Sequence, residues 1–221
     1  MLTASKDHSQ FILENTAVCS PPHVPELNLH LADEAHSLWH KTEEELEQIG
    51  LQPPFWAFAW AGGQALARFI LDHPDIVSGK RVLDFASGSG LVGIAAKLAG
   101  ANEVTCVDID PFCASAITLN AALNGIAVSI QITDLTEIIS LESSEYDCVL
   151  AGDVFYDKQM VDKVWPMLQA FKRQGATILV GDPGRVYLPK ENLEKCAEYQ
   201  VPVTRVLEDS EIKQTSVWRL K

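Results

Sequence analysis

The sequence predicts an α/β protein: an open, doubly wound sheet of mainly parallel strands whose last strand pair is antiparallel. Short apolar runs alternate with helical segments from Arg81 to Gly181, the pattern of strands joined by right-handed helical crossovers. A glycine-rich loop follows the first of these strands, as in nucleotide-type cofactor folds. The last two predicted strands have no helix between them, so we expect them to pair antiparallel.

Composition limits the class of protein. The chain has 221 residues, 47% of them hydrophobic and 21% charged, which suits one globular α/β domain. No apolar run reaches the roughly 18 residues that a membrane span needs. The first ten residues match neither a signal peptide nor a transit peptide, so we expect a cytoplasmic protein.

The net charge of −13 argues against a nucleic-acid partner, because Lys and Arg are sparse and dispersed and phosphate binding requires a basic surface. Such acidity favours a basic partner, either a lysine-bearing protein or a cationic cofactor. The five cysteines lack C-x-x-C spacing and the six histidines lack metal-ligand spacing. We therefore expect buried free thiols and no metal site.

The N-terminal 52 residues are expected to form an arm before a single globular domain at 53–221. In the arm, Phe11–Val18 is either a short strand or an extended segment, and Ala32–Ile49 should be a helix that Gly50 ends.

The domain opens with Pro53–Gly63, which carries four aromatic residues in six positions. This segment is either a hydrophobic plug against the sheet or an aromatic wall of a ligand pocket. Gln64–Leu71 after it should be helical.

The first β-α-β unit comprises the strand Arg81–Phe85, the loop Ala86–Gly90, the helix Leu91–Leu98 and the strand Glu103–Val107. The later predicted elements are a helix at Pro111–Asn124, strands at Val128–Thr133 and Asp147–Gly152, a helix at Lys158–Phe171, a strand at Ala176–Gly181, a helix at Lys190–Glu198, and strands at Thr204–Leu207 and Ser216–Leu220.

Acidic residues stand at or near the ends of the parallel strands, where ligands bind in such sheets. A single one could cap the next helix, but five together point to a functional site. They are Asp84, Asp108, Asp134, Asp153 and Asp182.

The glycine loop Gly88–Gly93 satisfies G-x-G-x-x-G, yet Asp84 lies on the approach to it. A carboxylate is electrostatically wrong beside a pyrophosphate and right beside an amino group and a sulfonium. The pattern Asp-x-x-x-Gly-x-Gly therefore favours S-adenosylmethionine over a dinucleotide. A hydrolase elbow is excluded because Ser87 stands where G-x-S-x-G needs glycine.

Five segments together resemble the electron transfer flavoprotein β-subunit lysine methyltransferases, in the bacterial-type form: Trp56–Leu66, Val82–Gly90, Asp108–Pro111, Gly152–Asp157 and Gly181–Arg185. That family belongs to the seven-strand S-adenosylmethionine-dependent enzymes with an Asp-x-x-Tyr motif after the fourth strand. The resemblance covers nearly the whole chain. Ala61 departs from a usual proline, and Phe85-Ala86 from a usual Leu-Gly.

The resemblance implies transfer of methyl groups to a lysine of a folded protein. Asp153 and Tyr156 are then the expected catalytic pair, with Asp153 orienting the amine rather than acting as a strong base. Asp108 is expected on the ribose hydroxyls and Asp134 near the adenine. The full expected cofactor set is Trp60, Gly62, Asp84, Ser87, Gly88, Gly90, Asp108, Ile109, Asp134 and Asp153.

Expected substrate contacts are Phe55, Trp56, Phe58, Phe155, Asp182 and Arg185. For three of them a structural alternative is open: core packing for Phe155, and a cap and an ion pair for Asp182 and Arg185. The expected protein substrate is the flavoprotein β-subunit, with a ribosomal protein or a small molecule as the alternative, and a non-catalytic scaffold remains a different class of hypothesis. Nothing in the sequence indicates an obligate oligomer, so a monomer is expected.

Overall fold

A computed structural model describes residues 4–32, 53–137, 146–203 and 211–221. The helices of this part are α1 (Ala4–Asn15), α2 (Ala61–Asp72), α3 (Leu91–Leu98), α4 (Pro111–Leu123) and α5 (Lys158–Arg173). The strands are β1 (Ala17–Cys19), β2 (Leu29–Leu31), β3 (Arg81–Phe85), β4 (Glu103–Asp108), β5 (Ser129–Ile132), β6 (Cys148–Gly152), β7 (Thr177–Asp182), β8 (Leu193–Pro202) and β9 (Ile212–Leu220).

The main sheet has seven strands in the order β5-β4-β3-β6-β7-β9-β8. Strands β3 to β7 run parallel, and β9 runs antiparallel to both β7 and β8. The chain order reverses at β3, which lies between β4 and β6. This reversal is the topological switch point at which open α/β sheets bind ligands. The predicted fold class is confirmed.

Both faces of the parallel strands are covered, which explains why their sequences are nearly continuous apolar runs. Successive residues of β3 and β6 enter different cores: Val82 and Leu150 pack in the core under α2, α3 and α4, whereas Leu83 and Val149 pack in the core under α5. All four side chains have zero exposure. The two-layer burial fixes the strand register and therefore the positions of the strand ends.

The C-terminal part departs from the prediction. The predicted helix over Lys190–Glu198 is wrong, since a short 3-10 turn at Lys190–Asn192 leads directly into β8. Strand β8 pairs with β9 from Leu193 to Pro202 with a bulge near Lys195, and this long ladder outweighs a weak helical pattern. Strand β9 begins at Ile212, four residues before the predicted start. The predicted strand at 204–207 lies outside the described residues.

The N-terminal segment also differs from its prediction. Helix α1 includes residues 11–15, so the strand or extended arm predicted for Phe11–Val18 is wrong there, and only the short β1 follows. Burial decides for the helix, because Ile12 is fully buried and Phe11 contacts Phe112 edge to face. The Thr16 hydroxyl then donates to the Ile12 carbonyl at 2.6 Å, at the end of α1.

Residues 17–31 form a small antiparallel pair that lies against the domain. Val24, Leu27 and Leu29 have zero exposure and pack with residues of α2 and α3. The helix predicted at 32–49 lies outside the described residues. Within the described ranges, each helix is too short or too polar to span a bilayer.

Candidate functional site

A cleft of about 570 Å³ opens at the carboxyl ends of the strands beside the switch point. This volume falls within the range of small-molecule sites. Most of the site residues expected from the sequence line it: Phe55, Phe58, Trp60, Asp84, Ser87, Gly88, Asp108, Ile109, Asp134, Asp153, Tyr156 and Arg185. Five others do not: Trp56, Gly62, Gly90, Phe155 and Asp182.

The glycine loop wraps tightly between β3 and α3. Ala86, Gly88 and Gly90 all have positive φ, at 54°, 52° and 80°. Gly90 caps the start of α3 in the left-handed conformation, and a Cβ there would lie 3.1 Å from Ile117 of α4. Only glycine combines that backbone with that close contact. Gly90 thus shapes the loop from behind the cleft surface.

Asp108, at the end of β4, is held by three backbone amides. Its Oδ1 accepts from the Ile109 and Asp110 amides at 2.8 and 3.1 Å, and its Oδ2 accepts from the Gly88 amide at 2.9 Å. A carboxylate has about four acceptor positions, so capacity remains for a ligand hydroxyl. The neighbouring Ile109 is 63% exposed and offers an apolar surface in the cleft.

Asp84 is the buried carboxylate beneath the loop, with 1% exposure. Its Oδ2 accepts from the Gly93 amide at 2.8 Å, at the start of α3. Burial raises the pKa of Asp84 to about 7, against the lowering effect of that amide. Because this group reaches the cleft, a cationic ligand would favour its charged form, whereas an anionic ligand would oppose it.

Asp134 follows β5 and lines the same cleft as Asp153. Its Oδ1 accepts from the amide and the hydroxyl of Thr136, at 2.9 and 2.5 Å. The Lys163 ammonium of α5 lies 4.0 Å from Oδ2 and 3.7 Å from Glu137. Lys163 lines the cleft but was not among the site residues predicted from the sequence. Its signal is a helix-face position that recurs with Gln159 and Met160, which also line the cleft.

Asp153 follows β6 in a left-handed conformation, with φ of 57°. Such a conformation costs a non-glycine residue about 1–2 kcal/mol and is frequent at functional sites. The Gly62 amide donates a short hydrogen bond to Oδ2, and the Arg185 guanidinium donates to Oδ1 at 3.0 and 3.3 Å. Burial raises the pKa of Asp153 to about 6, although Arg185 lowers it.

Gly62 fixes Asp153 from below rather than bordering the cleft. The start of α2 approaches β7 so closely that a Cβ on Gly62 would collide with the Gly181 carbonyl. The same Cβ would lie 2.5 Å from Asp153 Oδ2. Two glycines on neighbouring elements, Gly62 and Gly181, are therefore required for the helix N-terminus to reach the carboxylate.

The aromatic segment divides between cleft and core. Phe55 is 47% exposed, and its ring centroid lies 6.0 Å from that of Tyr156, also 47% exposed. Phe58 and Trp60 complete this wall, and the Trp60 indole donates to the Phe55 carbonyl at 3.0 Å. The pocket-wall alternative therefore holds for these side chains.

Two of the predicted substrate contacts, Trp56 and Phe155, are buried in the core instead. Trp56 is 2% exposed and stacks on Phe112, with ring centroids 5.6 Å apart, in the core beneath α4. Phe155 is fully buried in the α5 core beside Trp165. Both side chains therefore lie in the core and not at the cleft surface.

Asp182 has a structural role, so its predicted substrate contact is also wrong. It is 1% exposed, and its Oδ1 accepts from the amides of Gly184 and Arg185 at 2.6 and 2.7 Å. This turn, in which Gly184 has φ of 89°, directs the Arg185 side chain towards Asp153. Arg185 itself lines the cleft, where its guanidinium forms an ion pair with Asp153.

The charge of the cleft tests what it can hold. Among the described residues that line it, six are carboxylates and two, Lys163 and Arg185, are cations. A polyphosphate would meet net repulsion there, whereas a ligand with a positive centre and a hydroxyl-bearing sugar finds matching groups. Apolar side chains such as Ile109 and Val107 border the same space. The residues present therefore fit a cationic nucleoside.

Comparisons with known proteins agree with this chemistry. The family model "Ribosomal protein L11 methyltransferase (PrmA)" matches residues 65–181. The "Electron transfer flavoprotein beta subunit lysine methyltransferase" of Rattus norvegicus is 36% identical over 214 residues, covering 94% of this chain and 82% of that protein. The protein of the same name from Homo sapiens is 38% identical over 220 residues, covering 94% and 80%.

Among solved structures, "A putative sam-dependent methyltransferase from Streptococcus mutans" has a TM-score of 0.55 at 13% identity, covering 88% of this chain and 53% of that one. At that identity the likeness supports the fold alone.

Proposed function

The chain belongs to the electron transfer flavoprotein beta subunit lysine methyltransferase family and carries a domain of the ribosomal protein L11 methyltransferase (PrmA) family; from this premise we propose that it methylates lysine on the β-subunit of an electron transfer flavoprotein. The resemblance drawn from the sequence motifs is confirmed. The protein is an S-adenosylmethionine-dependent protein-lysine methyltransferase.

One observation carries the proposal for the site: the buried carboxylate Asp153 opens into the same cleft as Asp84, Asp108 and Asp134. A methyltransferase needs a donor seat and an acceptor seat that meet, because in-line displacement depends mainly on positioning. The switch-point carboxylates supply the first seat. Asp153, at the end of the next strand of the sheet, supplies the second.

S-adenosylmethionine supplies, when bound, an electrophilic methyl group on a sulfonium. We assign Asp108 to its ribose hydroxyls, with Ile109 against the base, Asp134 towards the adenine amino group, and Asp84 beneath the aminoacyl end. Ser87 and Gly88 line the cleft together with Asp84 and would border that end of the cofactor. Gly62 and Gly90 contribute from behind the cleft by fixing Asp153 and the loop.

Asp153 and Tyr156 hold the acceptor amine. Asp153 orients the nitrogen, and the proton leaves to water, since a carboxylate stabilises an ammonium and is a poor base for it. Phe55, Phe58 and Trp60 provide ring faces for the lysine chain. Cation–π attraction of about 0.5–2 kcal/mol would tolerate nitrogen that carries one or more methyl groups.

We further propose that the enzyme acts as a monomer in the cytoplasm and that nucleic acid is neither its substrate nor its partner. The excess of carboxylates around the cleft supports a lysine-bearing protein over a phosphate backbone. A lysine of a ribosomal protein is the second candidate, favoured by the match of residues 65–181 to the L11 methyltransferase model.

The experiment separates acceptor from donor roles. Asp153→Asn should nearly abolish methyl transfer to the purified flavoprotein subunit while the calorimetric affinity for S-adenosylmethionine changes little. Equal loss of cofactor binding would make the acceptor role of Asp153 wrong. The same assay with ribosomal protein L11 as substrate distinguishes the two candidate targets by the rate of label incorporation.

A further inference from the structure

Arg185 stands where the acceptor amine must come close. Its guanidinium donates to Asp153 Oδ1 at 3.0 and 3.3 Å, and both groups line the cleft. The other oxygen of Asp153 accepts from the Gly62 amide, so the carboxylate is already neutralised and fully oriented before any substrate arrives. The Arg185 side chain is 25% exposed, against 8% for Asp153, so the pair is largely shielded from solvent.

We propose that Arg185 is a positioning residue of the methyl transfer, whose charge balances Asp153 so that the carboxylate orients the acceptor amine without keeping it protonated. This inference rests on the proposed function. It concerns an ion pair that the sequence did not predict, because an ion pair was one alternative for Arg185 but no partner residue could be named.

The chemical need is plain. The nitrogen lone pair forms the new N–C bond, the pair of the broken S–C bond stays on the donor sulfur, and one proton leaves the nitrogen for water. Lysine has a pKa near 10.4 in water, so most of it carries no lone pair at neutral pH. A bare buried carboxylate would stabilise the ammonium further, whereas a guanidinium beside it counteracts that effect.

The turn that carries Arg185 is built for this placement. Asp182 at the end of β7 receives the amides of Gly184 and Arg185, and Gly184 adopts a left-handed φ of 89°. A Cβ on Gly184 would meet nothing within 4 Å, so backbone conformation rather than space calls for glycine there. The turn is fixed by its own hydrogen bonds and not by the ion pair.

Several charges face Asp153 and set the background for a pH experiment. Arg185 lowers the pKa of Asp153, while Asp182 raises it. Lys190, in the following segment, in turn lowers the pKa of Asp182, which burial raises. The first turn of α2 brings the Gly62 amide and has no acidic residue, and its last turn has no basic residue. Asp157, at the start of α5, raises the pKa of Tyr156 and not that of Asp153.

The test compares three variants with the wild-type enzyme. Arg185→Met removes the charge, Arg185→Lys keeps it, and Arg173→Met removes an exposed arginine from the far end of α5 as the matched control. For each, kcat of methyl transfer at saturating donor and substrate is measured against pH, because kcat reports the ionisation of the bound acceptor amine. In Arg185→Met the acid limb should move up by about one pH unit or more, the usual effect of an arginine on a neighbouring carboxylate site. Arg185→Lys and Arg173→Met should leave the limb in place.

A second readout uses the free protein without donor or substrate. Carbon-13 NMR of the Asp153 carboxyl should give a higher pKa in Arg185→Met than in the wild type and little change in Arg173→Met. Should Arg185→Met not fold, Arg185→Gln, which retains N–H donors but no charge, makes the same comparison. Unfolding by urea and cofactor affinity are recorded for every variant.

A uniform drop in rate at every pH, or an unchanged Asp153 titration, would overturn the proposal. If the wild-type enzyme transfers no methyl group to protein lysine, the proposed function fails instead. The NMR comparison still decides, in that case, whether Arg185 controls the charge state of Asp153.

Discussion

Gly62→Ala is the substitution whose effect on stability can be estimated best, because the adjacent Gly63 provides a matched control. A Cβ on Gly62 would collide with the Gly181 carbonyl and lie 2.5 Å from Asp153 Oδ2, whereas a Cβ on Gly63 would lie 3.7 Å from Leu91. Overpacking costs about 1–3 kcal/mol. The upper end applies here, since the obstructing atoms are backbone of a central strand and cannot move aside.

Gly63→Ala, one position further along the same helix, should instead stabilise the protein, because a Cβ there meets only ordinary contacts. Replacing a glycine within a helix by alanine gains roughly 0.5–1 kcal/mol when space exists. The two variants should therefore differ by roughly 4 kcal/mol in free energy of unfolding, measured by urea denaturation followed by circular dichroism. Methyl transfer should fall sharply in Gly62→Ala alone, because Asp153 loses its fixed position. Equal stability of the two variants would refute the close approach of α2 to β7.

Three further predictions test separate parts of the site. Asp108→Ala should weaken S-adenosylmethionine binding by roughly 1.5–3 kcal/mol by calorimetry, the value of hydrogen bonds to a charged group, and unchanged affinity would contradict the ribose assignment. The raised pKa of Asp84, about 7 in the folded protein, means that its contribution to stability is present below about pH 4 and is lost as pH rises to about 7; Asp84→Asn should flatten that part of the stability profile, and a profile parallel to wild type would count against its burial. Trp56→Ala should cost about 3–5 kcal/mol of unfolding free energy as a core truncation, whereas Phe55→Ala should leave stability nearly intact and slow methyl transfer.

The central elements were predictable because their sequences are locally consistent. Strand β3 and helix α3 have the predicted bounds. Each is a largely buried apolar run, and the glycine loop between them marks where the strand ends and the helix begins. The C-terminal hairpin was not predictable in the same way. Residues 190–198 carry no strong period, and their strand state depends on pairing with β9, a contact distant in sequence.

The donor half of the site could be predicted because its acidic residues stand at strand ends, which topology brings together. The acceptor half was harder. Trp56 and Phe55 are adjacent aromatics, yet one enters the core and the other the cleft, and only the turn at Phe55–Ala57 decides which. The partner of Arg185 was equally hidden, since the turn at Asp182 determines where that side chain points.

The proposed activity is tested most directly by intact-mass spectrometry of a purified electron transfer flavoprotein β-subunit after incubation with the enzyme and S-adenosylmethionine. Mass increases in whole methyl steps are expected, located on lysine by fragmentation and nearly absent with Asp153→Asn. An unmodified subunit, with label from the cofactor appearing in RNA or in small molecules of a cell extract, would contradict it.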